Sequence, residues 1–136
     1  MKTLIILVVL IIGWDVAWYI AGVRPLLPWQ LDKLLKEHRK AVSLIDVRTP
    51  LEFNWFHIDG AANMPDLLSK AEGFNGKRFD EPVIVICMTG HRSPMVAYQL
   101  KKRGYKQVYN LTWGMLAWKL FGMTNFRPPP ANHSVV

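Results

Sequence analysis

The sequence predicts an α/β domain, a mainly parallel sheet flanked by helices, preceded by one transmembrane helix. Three observations carry that expectation. Leu4 to Val23 is a stretch of 20 residues with a single charge, Asp15. Beyond it, short β-branched apolar runs alternate with segments of helical periodicity, the pattern of strands joined by helical crossovers. The most apolar of these runs, Val83 to Ile86, ends on the only cysteine of the chain and is followed by Met-Thr-Gly-His-Arg-Ser-Pro.

The first segment has the length needed to span hydrocarbon. Its twelve Leu, Ile and Val residues contribute about −4 to −7 kcal/mol to insertion. Asp15 near the middle costs about 2.5–3.5 kcal/mol on the same scale, so insertion wins. Trp14, Trp18 and Tyr19 suit an interfacial belt. Lys2 and the run from Leu4 to Ile12 also fit the first two regions of a cleaved signal peptide. However, Trp18-Tyr19-Ile20 is too bulky for an A-x-A-like cleavage site, which favours an uncleaved anchor. Arg24, Lys33, Lys36, Arg39 and Lys40 follow the span closely, so the remainder is expected on the cytoplasmic side of a single-pass membrane protein. Membrane lipid is thus an expected partner of residues 4–23.

Pro25 and Pro28 read as a short stiff joint, placing the anchor at 1–24, a linker at 25–30 and the folded domain at 31–123. Leu31, Leu34 and Leu35 recur at helical spacing, with Asp32, Lys33, Lys36 and Glu37 opposite. Ala41 to Asp46 reads as a buried strand broken by Pro50. Glu81 to Cys87 is apolar at successive positions, as in a central parallel strand covered on both faces. Ser93 then reads as an N-cap with Pro94 at the first helical position, and Gly104 as the helix stop. Gln107 to Leu111 is a third strand and Gly114 to Phe121 a last helix. Residues 124–136, rich in proline, read as a flexible tail.

Composition narrows the function classes. The chain has 136 residues, 51% hydrophobic and 20% charged, which suits one folded domain rather than disorder. One cysteine excludes an internal disulfide, and the scattered His38, His57, His91 and His133 form no ligand pair, so neither a metal nor another cofactor is expected. The formal net charge of +7 is compatible with nucleic acid, acidic lipid or a small anion. Lys101-Lys102-Arg103, the densest basic run, is better read as a helix end complementing the macrodipole, so nucleic acid is not an expected partner. Asn110-Leu111-Thr112 and Asn132-His133-Ser134 match the glycosylation sequon but carry no meaning on a cytoplasmic domain. His57 reads as a hydrogen-bonded structural histidine.

Cys87 lies just past the carboxyl end of a parallel strand, where open α/β sheets bind ligands. Between Met88 and Ser93 the chain turns from strand into helix, and Gly90 permits conformations that a β-carbon would forbid. Amides in such a turn point inward, the helix adds its positive end, and Arg92 adds a permanent cation. These features favour thiolate over thiol, hence a nucleophilic cysteine rather than an inert core one.

The loop Cys87-Met-Thr-Gly-His-Arg-Ser93 resembles the Cys-x-x-Gly-x-Arg-Ser active-site loop of rhodanese-domain sulfurtransferases. Leu44 to Phe53 followed by His57 to Pro65 resembles that family's first signature, and Val108 to Trp118 its last strand and helix. The match runs from about Leu31 to Gly122 with the motifs in order. It implies a five-stranded parallel sheet and a persulfide on Cys87, cradled by Met88, Thr89, Gly90, His91, Arg92 and Ser93. Asp46 and Arg48 match the family's Asp-x-Arg, which implies a supporting role. The implied substrate is a small sulfur anion or low-molecular-weight persulfide, and the implied acceptor a thiol, cyanide or a partner-protein cysteine. Three departures bear on specificity. Met88 stands where thiosulfate-using relatives often carry a basic residue. Phe56 and Asp59 replace a common glycine and proline around His57, and Trp113 replaces the first glycine of a pair.

Two other functions compete with a sulfurtransferase. Related phosphatases place five residues between cysteine and arginine, whereas four intervene here. No second cysteine is present to resolve an arsenate-reductase intermediate. A non-catalytic, membrane-tethered docking module would have no use for the thiol.

Overall fold

The computed structural model describes residues 1–70, 73–74 and 78–123. The expected tail at 124–136 and the second sequon lie outside the described residues. The chain opens with helix α1 (Lys2–Ile20) and continues through β1 (Arg24–Leu26), α2 (Pro28–His38), a 3-10 turn (Arg39–Ala41) and β2 (Ser43–Asp46). Next come α3 (Pro50–Trp55), β3 (Ala62–Asn63), a second 3-10 turn (Pro65–Leu68) and β4 (Val83–Ile86). Helix α4 (Ser93–Lys102), β5 (Val108–Leu111) and α5 (Gly114–Leu120) complete the domain.

The five strands form one sheet in the order β1-β5-β4-β2-β3, with every pair parallel. The expected α/β class and parallel sheet are therefore present. β4 is the middle strand, and all four of its residues are buried. Val83 and Val85 belong to a core cluster with Ile45, Val96, Leu100 and Val108. Ile84 and Ile86 join Leu31, Leu35, Leu44, Met115 and Trp118 in a second cluster. Successive side chains point to opposite faces, so an unbroken apolar run is what a doubly covered strand requires. Each such side chain removed from water contributes about 1.5–3 kcal/mol.

The expected linker at 25–30 is corrected: Arg24–Leu26 is an edge strand and Pro28 starts α2. Arg24, Pro25 and Leu26 pair with Tyr109, Asn110 and Leu111. Pro25 fits because an edge strand can leave one N–H side unpaired, so the missing donor costs no ladder bond. Pro28 fits because the first helical position has no intrahelical N–H bond to lose. The folded domain thus begins directly after α1.

Helix α1 differs in kind from the others. It buries no residue, and Leu4 through Ile12 are 46–64% exposed. A helix that is apolar on all sides has no stripe to lay on a protein core, and α1 is long and apolar enough to cross a membrane. Its last turns touch the domain through Trp18, whose ring lies 5.9 Å from that of Tyr98 on α4. Asp15 lines a cavity of about 240 Å³ with Trp18, Tyr19, Val23 and Thr112, between α1 and the domain.

Candidate active site

Cys87 is the first residue after β4, and the chain leaves the sheet there. Val47 N–H bonds to the Ile86 carbonyl at 2.9 Å, so pairing with β2 holds the strand up to the residue before the cysteine. The Cys87 side chain is fully buried. Unlike an inert core cysteine it has polar partners: the Gly90 N–H donates to Sγ at 3.0 Å, and Ser93 Oγ lies 3.3 Å from Sγ. Both groups converge on the one sulfur.

Ser93 does not cap α4, contrary to the sequence expectation. It is the first residue inside the helix, the N-cap position falls on Arg92, and no side chain caps the end. The hydroxyl instead faces the Asn110 carboxamide oxygen as well as Cys87 Sγ. One hydroxyl proton serves either the amide or the sulfur at a given moment. Asn110 Nδ2 in turn donates to the Gly90 carbonyl at 3.3 Å. The buried Asn110 thereby ties β5 to the turn whose amide meets the sulfur.

A second backbone segment seals the first. Met115 N–H bonds to the Cys87 carbonyl and Leu116 N–H to the Met88 carbonyl, each at 2.9 Å. This approach requires Gly114: a Cβ there would lie 2.4 Å from the Cys87 oxygen, and its φ is +62°. Gly90, at φ +82°, meets the same seam from the other side, where a Cβ would lie 2.8 Å from Trp113 N. Trp113 itself adopts φ 60°, the one non-glycine residue at positive φ among the described residues. For a residue bearing a β-carbon this conformation costs about 1–2 kcal/mol.

Arg48 and Asp46 are fully buried and form a multidentate pair. Nε lies 3.0 Å from Asp46 Oδ1, and the closest terminal contact is 2.8 Å, to Oδ2. Arg48 also donates to the carbonyls of Glu52 at 3.1 Å and Phe56 at 2.6 Å. Asn63 Nδ2 bonds to the carbonyls of Asp46 and Arg48. This network fixes the segment from β2 through α3. His57 has the structural role expected, with Nδ1 2.9 Å from the Phe53 carbonyl and its ring stacked on Phe53.

Arg92 departs from the simple reading of a cation facing the thiol. Its guanidinium donates to Glu52 Oε1 on α3 at 3.0 Å. Glu52 also completes a capping box: the Thr49 N–H and hydroxyl both donate to its Oε2 at 2.9 Å. Burial pushes the Glu52 carboxyl up, but hydrogen bonds from Thr49 and Arg92 outweigh it and hold the group below its ordinary value of 4.5. Thr89 and His91 are exposed, with His91 Nδ1 3.1 Å from Thr89 Oγ1, while Met88 is half-buried. The structure thus brings Cys87, Gly90 and Ser93 together and places Arg92 on an acidic partner. The sequence reading missed Glu52 and Asn110. The available signals were the Thr-x-x-Glu spacing at 49–52 and a polar residue inside an apolar strand.

A cysteine just past the carboxyl end of a parallel strand, followed by a turn into a helix, sits where open α/β sheets bind ligands. Residues 28–120 match the family model described as Rhodanese-like domain. The chain belongs to the rhodanese-like domain family. YqhL of Bacillus subtilis is 43% identical over 81 residues, covering 60% of this chain and 63% of that protein. The thiosulfate sulfurtransferase GlpE of Shewanella oneidensis is 36% identical over 80 residues, covering 58% of this chain and 77% of GlpE. A probable adenylyltransferase/sulfurtransferase of Mycobacterium tuberculosis, MoeZ, is 37% identical over 92 residues; 67% of this chain is covered but only 23% of MoeZ. The chain therefore spans under two thirds of YqhL and about a quarter of MoeZ. Among solved structures, a rhodanese-like domain protein of Staphylococcus aureus is 28% identical with a TM-score of 0.59, covering 71% of this chain and 91% of that one. Family members are named as sulfurtransferases, which supports that activity class.

Proposed function

We propose that the protein is a membrane-tethered sulfurtransferase that carries a sulfane sulfur as a persulfide on Cys87. The observation that carries the reading is the Gly90 N–H donated to Cys87 Sγ at 3.0 Å, with the Ser93 hydroxyl 3.3 Å from the same sulfur. In the first half-reaction the Cys87 thiolate attacks the outer sulfur of thiosulfate, a polysulfide or a low-molecular-weight persulfide. A new Sγ–S bond forms, the donor S–S bond breaks, and sulfite or a thiolate leaves with the electron pair. In the second, an acceptor thiolate, cyanide or a partner-protein cysteine attacks the outer sulfur and returns Cys87 as thiolate. No net oxidant or reductant is consumed, and no cofactor is needed.

The amides and side chains of Met88 to Ser93 cradle the transferred sulfur, and Asp46 and Arg48 brace the segment beside it. Because Cys87 is fully buried, reaction begins with a movement of its own loop. The four residues between Cys87 and Arg92 leave a smaller cradle than a phosphoryl group takes, which favours sulfur over phosphate ester. Residues 4–23 anchor the chain in lipid, with the domain on the cytoplasmic face, as the basic residues after the span direct.

Covalent transfer in two halves predicts ping-pong kinetics. Initial rates of the full chain in detergent micelles, measured over a grid of polysulfide and cyanide concentrations, should give parallel double-reciprocal lines. Intersecting lines, or turnover that survives Cys87→Ser, would contradict the persulfide route.

A further inference from the structure

The loop that closes over Cys87 has one permanently charged side chain, Arg92, and that charge is already matched. Its partner Glu52 comes from α3, 40 residues away in sequence, and sits 3.0 Å from the guanidinium. Glu52 cannot simply swing aside, because Thr49 N–H and Oγ1 hold its other oxygen in the capping box. The Glu52 side chain is 21% exposed and that of Arg92 37% exposed, so the pair sits at the rim, where water screens it only in part. Arg48 offers no spare charge either, since Asp46 occupies it in full burial. Met88, the residue after the cysteine, is neutral. Beside it the surface is apolar: Trp113 is 46% and Leu116 56% exposed, and Leu116 N–H is bonded to the Met88 carbonyl.

Thiosulfate is a dianion, whereas a hydropersulfide R–S–SH ionises to a monoanion and can bring an organic substituent to an apolar rim. We propose that Glu52 is a specificity-determining positioning residue: by engaging Arg92 it cancels the loop's cation and sets the donor preference to organic hydropersulfides over thiosulfate. This rests on the sulfurtransferase reading and deepens it to a substrate class. In the loading step the Cys87 thiolate takes the outer sulfur, the donor's S–S bond breaks, and R–S⁻ leaves with the electron pair and takes up a proton from water. The paired Arg92 keeps the loop in register, while a dianion approaching the same loop finds its arginine already matched.

The test uses the full chain in detergent micelles and two probes, glutathione persulfide and thiosulfate, with loading followed by intact mass. Wild type should load from glutathione persulfide with the higher kcat/KM. Glu52→Gln keeps an amide oxygen for Thr49 and removes the charge together with the acceptor that faces Arg92; it should lower the thiosulfate KM by about tenfold or more, with the gain erased at high salt. Glu52→Asp should restore the wild-type donor ratio. Thr49→Ala, which loses the cap but keeps the carboxylate on Arg92, should retain that ratio, whereas simple structural damage would lower loading from both donors alike. If Glu52→Gln does not fold, Met88→Lys adds a cation to the cysteine loop without touching the cap and should likewise raise thiosulfate loading. A wild type that prefers thiosulfate, or a donor ratio unmoved by Glu52→Gln or Met88→Lys, overturns the proposal. Loading from neither donor in wild type overturns the sulfurtransferase reading itself.

Discussion

Two arginine–carboxylate pairs stand near Cys87, and they differ in almost everything except chemistry. Asp46 and Arg48 are two residues apart, fully buried, and joined by short bonds that also reach the Glu52 and Phe56 carbonyls. Glu52 and Arg92 are 40 residues apart, partly exposed, and joined by a single contact at 3.0 Å. The first pair works as scaffold, because a buried charge without its partner is very costly. The second sits where water lowers its worth to about 0–1 kcal/mol of stability, so its effect falls on the field around the loop. Burial, rather than the identity of the groups, separates structure-building from tuning.

The sharpest way to break this comparison is Arg48→Ala. It strands Asp46 in the core and should destabilise the protein by about 3–5 kcal/mol, read as a drop in the urea midpoint. A loss below about 1 kcal/mol would mean the buried pair is no more structural than the rim pair. Next in size is Gly114→Ala, on the seam between the cysteine loop and α5. A Cβ there would lie 2.4 Å from the Cys87 carbonyl at φ +62°. About 1–3 kcal/mol of strain is expected, with sulfur loading falling further than stability because the displaced carbonyl belongs to the cysteine. Unchanged loading would show that the seam does not position Cys87.

The smallest effect is the pH dependence of the rim pair. The folded-state pKa of Glu52 is below its ordinary 4.5, so its contribution is fully present above that value and is lost as pH falls through the folded pKa. Thermal melts of wild type and Glu52→Gln should therefore differ at neutral pH and converge in acid. A gap that persists to the lowest pH at which both fold would assign the difference to packing rather than charge.

The parts of this molecule that the sequence made legible are those with strong local pattern. β4 announced itself as an unbroken apolar run, and Cys87 fell at its end. α4 was marked by Pro94 and Gly104, and α1 by a long apolar stretch interrupted only by Asp15. β1 was not legible, because three residues containing Pro25 carry no alternation, and only pairing with β5 makes them a strand. β3, at two residues, is defined in the same way by its partner β2. Ser93 looked like a cap because serine before proline at a helix start usually is one. Its partners Cys87 and Asn110 become neighbours only once β5 lies beside β4. Glu52 was visible as half of a capping box, but its reach to Arg92 depends on the placement of α3 against the loop.

The central claim, that Cys87 accepts a sulfur atom within a loop built to hold it, is tested most directly by intact-mass measurement of the full chain after exposure to polysulfide. Cys87→Ser is treated in parallel. The account predicts that wild type gains the mass of one sulfur atom, that cyanide removes it, and that the variant never gains it. No sulfur on a folded wild-type protein whose Cys87 can be alkylated, or the same gain in Cys87→Ser, would contradict it.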